Sequence, residues 1–227
     1  MSHQIHTIVY VDGENFTIRL REFEQTEKPF QDDRYKQSGV ATRWIPQPSN
    51  LRIIEEHPFG ATWKGDTFFW DFKGLDLAYY LSTGTMLDSI PERCVYFASC
   101  PGDQIQTTEK ELHDFGFEPQ VFKREKPDSF AKEKKAEGIT VITRPKQLDI
   151  AIATRVLEDA ANNTFHQCIL VAGDEDYVPL VEAVKRKGKI VWVLAFRKYL
   201  SKHSKLEIVA DRFLPFDDVV RARYLLM

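Results

Sequence analysis

Three short acidic segments of this chain have the residue types and placement to do chemistry together: Val11-Asp12-Gly13-Glu14-Asn15, Lys146-Gln147-Leu148-Asp149 and Ala172-Gly173-Asp174-Glu175-Asp176-Tyr177. The first follows the apolar run Ile8-Val9-Tyr10-Val11, and the third follows Cys168-Ile169-Leu170-Val171. An acid just past a buried strand is costly unless something binds it. Two like charges 4 Å apart oppose each other by about 4 kcal/mol at an effective dielectric near 20. A helix N-terminus returns only about 0.3–1 kcal/mol. A divalent cation resolves the conflict, with Asp12, Asp149 and Asp174 as the expected metal ligands. Oxygen ligands without His or Cys partners favour hard ions, Mg2+ or Mn2+, over zinc. Such an ion lowers the pKa of a bound water and stabilises the charge that develops in phosphodiester cleavage.

The elements must bring these acids to one edge. Residues 5–11 read as a strand, and Gly13 to about Glu24 as a helix with Phe16, Leu20 and Phe23 on one face. Helices are expected over Asp71–Met86, from Pro101-Gly102-Asp103 to Phe115, and over 146–161 and 176–187. Strands are expected at Arg93–Ala98, Phe117–Phe122, Ile139–Ile142, 167–172 and 189–195. Gly188 stands where a helix C-terminus favours a residue tolerant of positive φ. Arg212 to Met227 reads as a turn at Pro215 followed by a terminal helix. This alternation specifies an α/β fold, a mostly parallel central sheet flanked by helices on both faces.

In such sheets, ligands bind beyond the carboxyl ends of the strands. Asp12 and Asp174 fall at such ends. Asp149 shares a helical face with Ile152, Ala153, Val156 and Ala160, so it points toward the sheet. Each acid also has a bland reading. Asp12-Gly13 can be a turn in which Asp bonds its own backbone. Asp149 can be a first-turn acid, and Asp174 the N-cap of its helix.

The whole is expected to be one domain over 1–227, with an insertion at about 25–70 rich in Pro, aromatic and charged residues, containing a small hairpin. Within it, Arg43-Trp44 and Trp63-Lys64 can stack bases or pack the insertion on the body. A content of 43% apolar and 29% charged residues is that of an ordinary soluble protein, and a net charge of −3 does not advertise a nucleic-acid binder. His3, His6, His57, His113, His166 and His203 show no HxxxH spacing. Cys94, Cys100 and Cys168 show no CxxC spacing, and their odd number speaks against a disulfide framework. With no signal peptide and no run near the about 20 apolar residues that span a bilayer, a cytoplasmic protein without a membrane partner is expected. Self-association is left open.

The three acidic segments resemble the signature motifs of NYN domains, which include the LabA-like proteins and belong to the larger PIN-like nuclease fold. That family's pattern is roughly D-G-x-N, K-x-x-D opening a helix, and S-G-D-S-D-F before the next helix. Tyr10–Asn15, Lys146–Asp149 and Val171–Leu180 follow it in order, and Ala210-Asp211-Arg212-Phe213 fits the A-D-x-F near the last strand. The resemblance covers roughly residues 5–24 and 92–220. It implies metal-dependent RNA cleavage, with Asp12, Asp149 and Asp174 as ligands. It also implies Asp176 as a fourth catalytic acid, for a second ion or a water, and Asn15 bonding a carboxylate or the scissile phosphate. Two positions depart from the pattern: Ala172 lacks the usual hydroxyl, and Glu175 adds a charge close to the metal.

Cations are segregated around these acids. Ala183–Leu206 holds Lys185, Arg186, Lys187, Lys189, Arg197, Lys198, Lys202 and Lys205 with no acid. A second group, which includes Lys123, Arg124 and Arg144, is diluted by Glu125, Asp128, Glu133 and Glu137. Lys146, Arg197 and Lys198 fall nearest the acids and are the expected nucleic-acid contacts, in a largely sequence-blind and salt-dependent mode. Two other functions fit the same residues. One is an RNA-binding or regulatory module on the same fold that does not cut. The other is a haloacid-dehalogenase-like phosphatase, which needs a second Asp where this chain has Glu14.

Overall fold

A computed structural model describes residues 5–26, 61–64, 67–70, 91–114, 117–124 and 146–217. The elements run β1 (Thr7–Asp12), α1 (Gly13–Thr26), β2 (Ala61–Lys64), β3 (Thr67–Trp70), β4 (Arg93–Cys100), α2 (Ile105–Asp114), β5 (Glu118–Lys123) and α3 (Lys146–Ala161). They continue as β6 (Gln167–Val171), α4 (Val178–Arg186), β7 (Ile190–Ala195), α5 (Lys205–Val209) and β8 (Arg212–Pro215), with 3-10 turns at Gly102–Gln104, Glu175–Tyr177 and Arg197–Tyr199. The helix expected at Asp71–Met86, the strand at Ile139–Ile142, the Arg43-Trp44 pair and the terminal helix beyond residue 217 lie outside the described residues.

Six strands form one sheet in the order β5-β4-β1-β6-β7-β8. Every pairing in it is parallel. Counted by its own strands the order is 3-2-1-4-5-6, the doubly wound arrangement that reverses beside its first strand and opens a crevice there. That crevice lies between β1 and β6. The two-stranded antiparallel β2–β3 pair is the hairpin expected in the insertion.

Burial on both faces explains why the inner strands β1, β6 and β7 are nearly continuous apolar runs. On one face Ile8, Tyr10, Val95, Phe97, Cys168, Leu170, Val191 and Val193 pack with Leu148, Ile152, Val156 and Ala160 of α3 and with Leu180, Val181 and Val184 of α4. The alternate residues Val9, Val11, Ile169, Val171 and Leu194 are buried too. On that opposite face Phe16 and Phe23 of α1 meet Phe196, and Phe16 also meets Phe216. Strand parity therefore puts Asp12, two residues beyond Tyr10, on the face that α3 covers.

A polar ladder fixes α3 on that face. The Tyr10 hydroxyl donates to Asp159 at 2.7 Å, and Arg155 donates to Asp159 and to Glu118, each at 2.8 Å. Arg93 binds the same Glu118 carboxylate. Burial pushes the Glu118 carboxyl up, but the bonds from Arg93 and Arg155 outweigh it and leave the group below its ordinary range.

The reading of Pro215 as a turn is corrected, since Arg212–Pro215 is the sixth strand, paired along β7 from Trp192 to Ala195. Pro is tolerated there because β8 is an edge strand and this is its last residue. Gly188 has the expected positive φ of 76° after α4.

Candidate active site

Asp12 is the last residue of β1 and only 4% exposed. The chain then turns directly into α1, and only glycine can make that turn. A Cβ on Gly13 would lie 2.3 Å from Tyr96 Cε1 and 2.6 Å from the Phe97 carbonyl oxygen. The turn aims the Asn15 backbone N–H at Asp12 Oδ1, at 2.9 Å. The Asn15 side-chain oxygen in turn accepts the Gly173 N–H at 3.1 Å, tying the end of β1 to the end of β6. The expectation for Asn15 thus resolves into backbone support of the carboxylate and a side-chain clasp across the crevice.

The other oxygen of Asp12 meets a residue that the sequence reading did not single out. Tyr177, 2% exposed, ends the 3-10 turn after β6. Its hydroxyl donates to Asp12 Oδ2 at 3.0 Å and to Asp149 Oδ1 at 3.1 Å. Asp149 stands half-buried on the first turn of α3, beside the buried Leu148 and one turn before Ile152. The inward face expected of it is therefore the face it occupies. The one signal for Tyr177 was its place in the third motif, where the family pattern carries Phe.

Burial pushes the Asp12 carboxyl up from 3.8 to about 6. The bonds from Asn15 and Tyr177 oppose that rise, and the Asp149 and Glu14 charges add to it. Burial, followed by the two carboxylates, also pushes the Tyr177 phenol well above its ordinary range, so it is a protonated donor.

Asp174 caps the 3-10 turn, its Oδ1 accepting the Asp176 N–H at 3.2 Å, and Asp176 is exposed. Among the described residues no group of three or more His, Cys, Asp or Glu could hold a metal ion. Of the expected trio, Asp12 and Asp149 are thus joined through Tyr177, while one oxygen of Asp174 is engaged within its own turn. The Glu175 carboxylate is engaged on the side of Ser201 and Lys205. The Ser204 hydroxyl beside it, followed by Ser201 at 3.0 Å and the Lys205 N–H at 3.5 Å, holds its carboxyl below the ordinary range.

Along the same edge Ser99, near the end of β4, bonds the Glu14 carboxylate, and Arg124, just past β5, donates to the Ser99 carbonyl at 2.9 Å. Beyond β7, Arg197 pairs with Glu207 at 2.8 Å and lies 5.3 Å from the Phe213 ring centroid. Lys198 donates to Thr26 at 2.8 Å. The buried Asp217 accepts both of their backbone N–H groups, at 2.6 and 3.2 Å. Both cations thus sit exposed past the carboxyl end of β7, with their side chains in surface contacts with Glu207 and Thr26. Lys146 opens α3.

Residues 67–217 match the NYN domain, well over half of the chain. The chain belongs to the NYN family. The match includes α3 and the loop after β6, and so Asp149, Asp174 and Tyr177, while β1 with Asp12 precedes it. The NYN sheet is also similar to the crystal structure of a protein of unknown function from Vibrio parahaemolyticus. The TM-score is 0.54 at 17% identity, covering 96% of this chain and 97% of that one. This is a likeness of fold. No curated protein matches the chain significantly. NYN membership supports a nuclease-type function, and no helix among the described residues is long and apolar enough to cross a membrane.

Proposed function

We propose that this NYN protein is a metal-dependent ribonuclease whose centre is the Asp12–Asp149 pair. The observation that carries the reading is the convergence of these two carboxylates, from β1 and α3, on one buried hydroxyl at the switch point of the sheet. The donor set fits a hard cation. Mg2+ is commonly bound through one or two carboxylates, several waters and the substrate's phosphate, so a pair suffices. Asp12 and Asp149 would hold the ion, with Asp174 and Asp176 on the adjoining turn as auxiliary acids. When bound, the ion supplies an acidified water and positive charge for the scissile phosphate.

The chain's own groups do the rest. The Asn15 N–H fixes the Asp12 carboxylate, and the Gly173–Asn15 clasp keeps the crevice at one width. Lys146, Arg197 and Lys198 would meet phosphates along the strand. RNA as the substrate follows from the family resemblance.

The test is cleavage of end-labelled single-stranded RNA with Mg2+ or Mn2+, and with EDTA as control. Asp12→Asn and Asp149→Asn should each lower the rate by about a hundredfold or more. One observation favours a second reading, an RNA-binding module that does not cut: the described acids gather as a pair and not a larger group. Equal inertness of wild type and variants, with RNA still bound, decides for that module. Asp12-dependent turnover of a small phosphomonoester decides for a phosphatase.

A further inference from the structure

The Tyr177 hydroxyl stands where a cation would otherwise reconcile Asp12 with Asp149. Its single proton serves Asp12 Oδ2 at 3.0 Å and Asp149 Oδ1 at 3.1 Å. The other oxygen of Asp12 accepts the Asn15 N–H at 2.9 Å, so Oδ2 is the oxygen turned toward Asp149 through Tyr177. Mg2+ sits about 2.0–2.1 Å from its ligand oxygens. That is much shorter than either hydrogen bond, so Asp12 and Asp149 would have to give up the Tyr177 hydroxyl between them to hold such an ion together.

The ring has little room to retreat. Tyr177 is 2% exposed in the core, between the Asp174-capped turn and the start of α4, which has Pro in its first turn. Phe at this position would keep the ring's packing and lose only the bonds to the acids.

We propose that Tyr177 is a positioning residue that bridges Asp12 and Asp149 in the cation-free protein and competes with the divalent ion for them. This deepens, and rests on, the metal-dependent reading above. Among the described residues, the Tyr177 hydroxyl is the shared hydrogen-bond donor to these two anions. Removing it raises the free energy of the empty site more than that of the loaded one, so the ion binds more tightly. The site is preorganised, and its occupancy is set by the cation concentration needed to displace a phenol.

The test is Mn2+ affinity of the full chain, read at pH 8 from the electron paramagnetic resonance of free Mn2+, for wild type, Tyr177→Phe and Asp12→Asn. Asp12→Asn should abolish the binding. Tyr177→Phe should tighten it by about tenfold, equivalent to about 1.4 kcal/mol. A change in packing alone would not move this number. In wild type labelled at tyrosine Cζ, the Tyr177 resonance should shift on saturation with Mg2+. That second measurement stands even if the variant does not fold. Equal or weaker Asp12-dependent binding in Tyr177→Phe overturns the inference and leaves the metal site standing, as does an unmoved Tyr177 resonance at Mg2+ saturation. Absence of Asp12-dependent Mn2+ binding in every form overturns the metal-dependent reading and this inference together.

Discussion

Asp12→Asn should make the metal-free protein more stable. The Asp12 carboxyl rises from 3.8 to about 6 on folding, with burial as the largest cause. At 1.36 kcal/mol per unit, ionising it in the folded chain costs about 3 kcal/mol. The folded state holds this proton over a range where the unfolded chain has lost it. Stability therefore falls as pH rises through that range, from about 4 to about 6, and levels off above it. Asparagine removes the charge and keeps the contacts. Its amide oxygen can accept the Asn15 N–H, and its NH2 can donate to the Tyr177 oxygen, whose own proton stays with Asp149. The assay is urea unfolding in EDTA at steps from pH 4 to 8, comparing midpoints at constant m-value. The variant should be similar to wild type near pH 4 and gain up to about 3 kcal/mol by neutral pH. A variant that unfolds at lower urea than wild type at pH 7, or a gap that does not change with pH, refutes the reasoning.

Gly13→Ala places a Cβ 2.6 Å from a backbone oxygen that cannot step aside, so it should cost about 2–3 kcal/mol; an unchanged melting temperature sinks this. Tyr10→Phe leaves the buried Asp159 with Arg155 alone and should cost about 1–3 kcal/mol in urea unfolding. Glu175→Gln should leave Mn2+ affinity unchanged, because the Glu175 carboxylate is engaged by Ser201 and Lys205, and titration with Mn2+ checks it. The Glu175 carboxyl is held below its ordinary 4.5, so its contribution is present above that pH and is lost as pH falls. The Gln variant should accordingly lose part of the wild type's destabilisation by acid.

The positions of Asp12 and Asp149 were legible because both follow from local rules. An apolar run ending in Asp-Gly puts the acid at a strand's end, and helical spacing puts Asp149 over Ile152 and Val156. Asp174 was legible as two things at once, a ligand or a cap. Its bond to the Asp176 N–H spans only two residues and needs no partner from elsewhere in the fold. β8 was not legible. Four residues that begin with Arg and end with Pro resemble a turn, and only the edge of an established sheet makes them a strand. The Tyr177 hydroxyl was hidden for the opposite reason. Helical spacing marks the ring as core, while its partner Asp12 lies 165 residues away and is brought to it by sheet order alone.

Because β1 lies inside the sheet, between β4 and β6, it can only be completed late. As the chain leaves the ribosome, Thr7–Asp12 waits first for Arg93–Phe97 and then for Gln167–Val171, its two partners. Pairings of such sequence separation are slow to form, and an apolar strand waiting for both neighbours invites association with other chains. The same wait keeps the carboxylates apart, since Asp12 is synthesised long before Asp149 and Tyr177. A nascent or truncated chain that stops before β6 holds both Asp12 and Asp149 but lacks the strand that β1 pairs with on that side, so the sheet edge that gathers the two acids is incomplete until β6 is made.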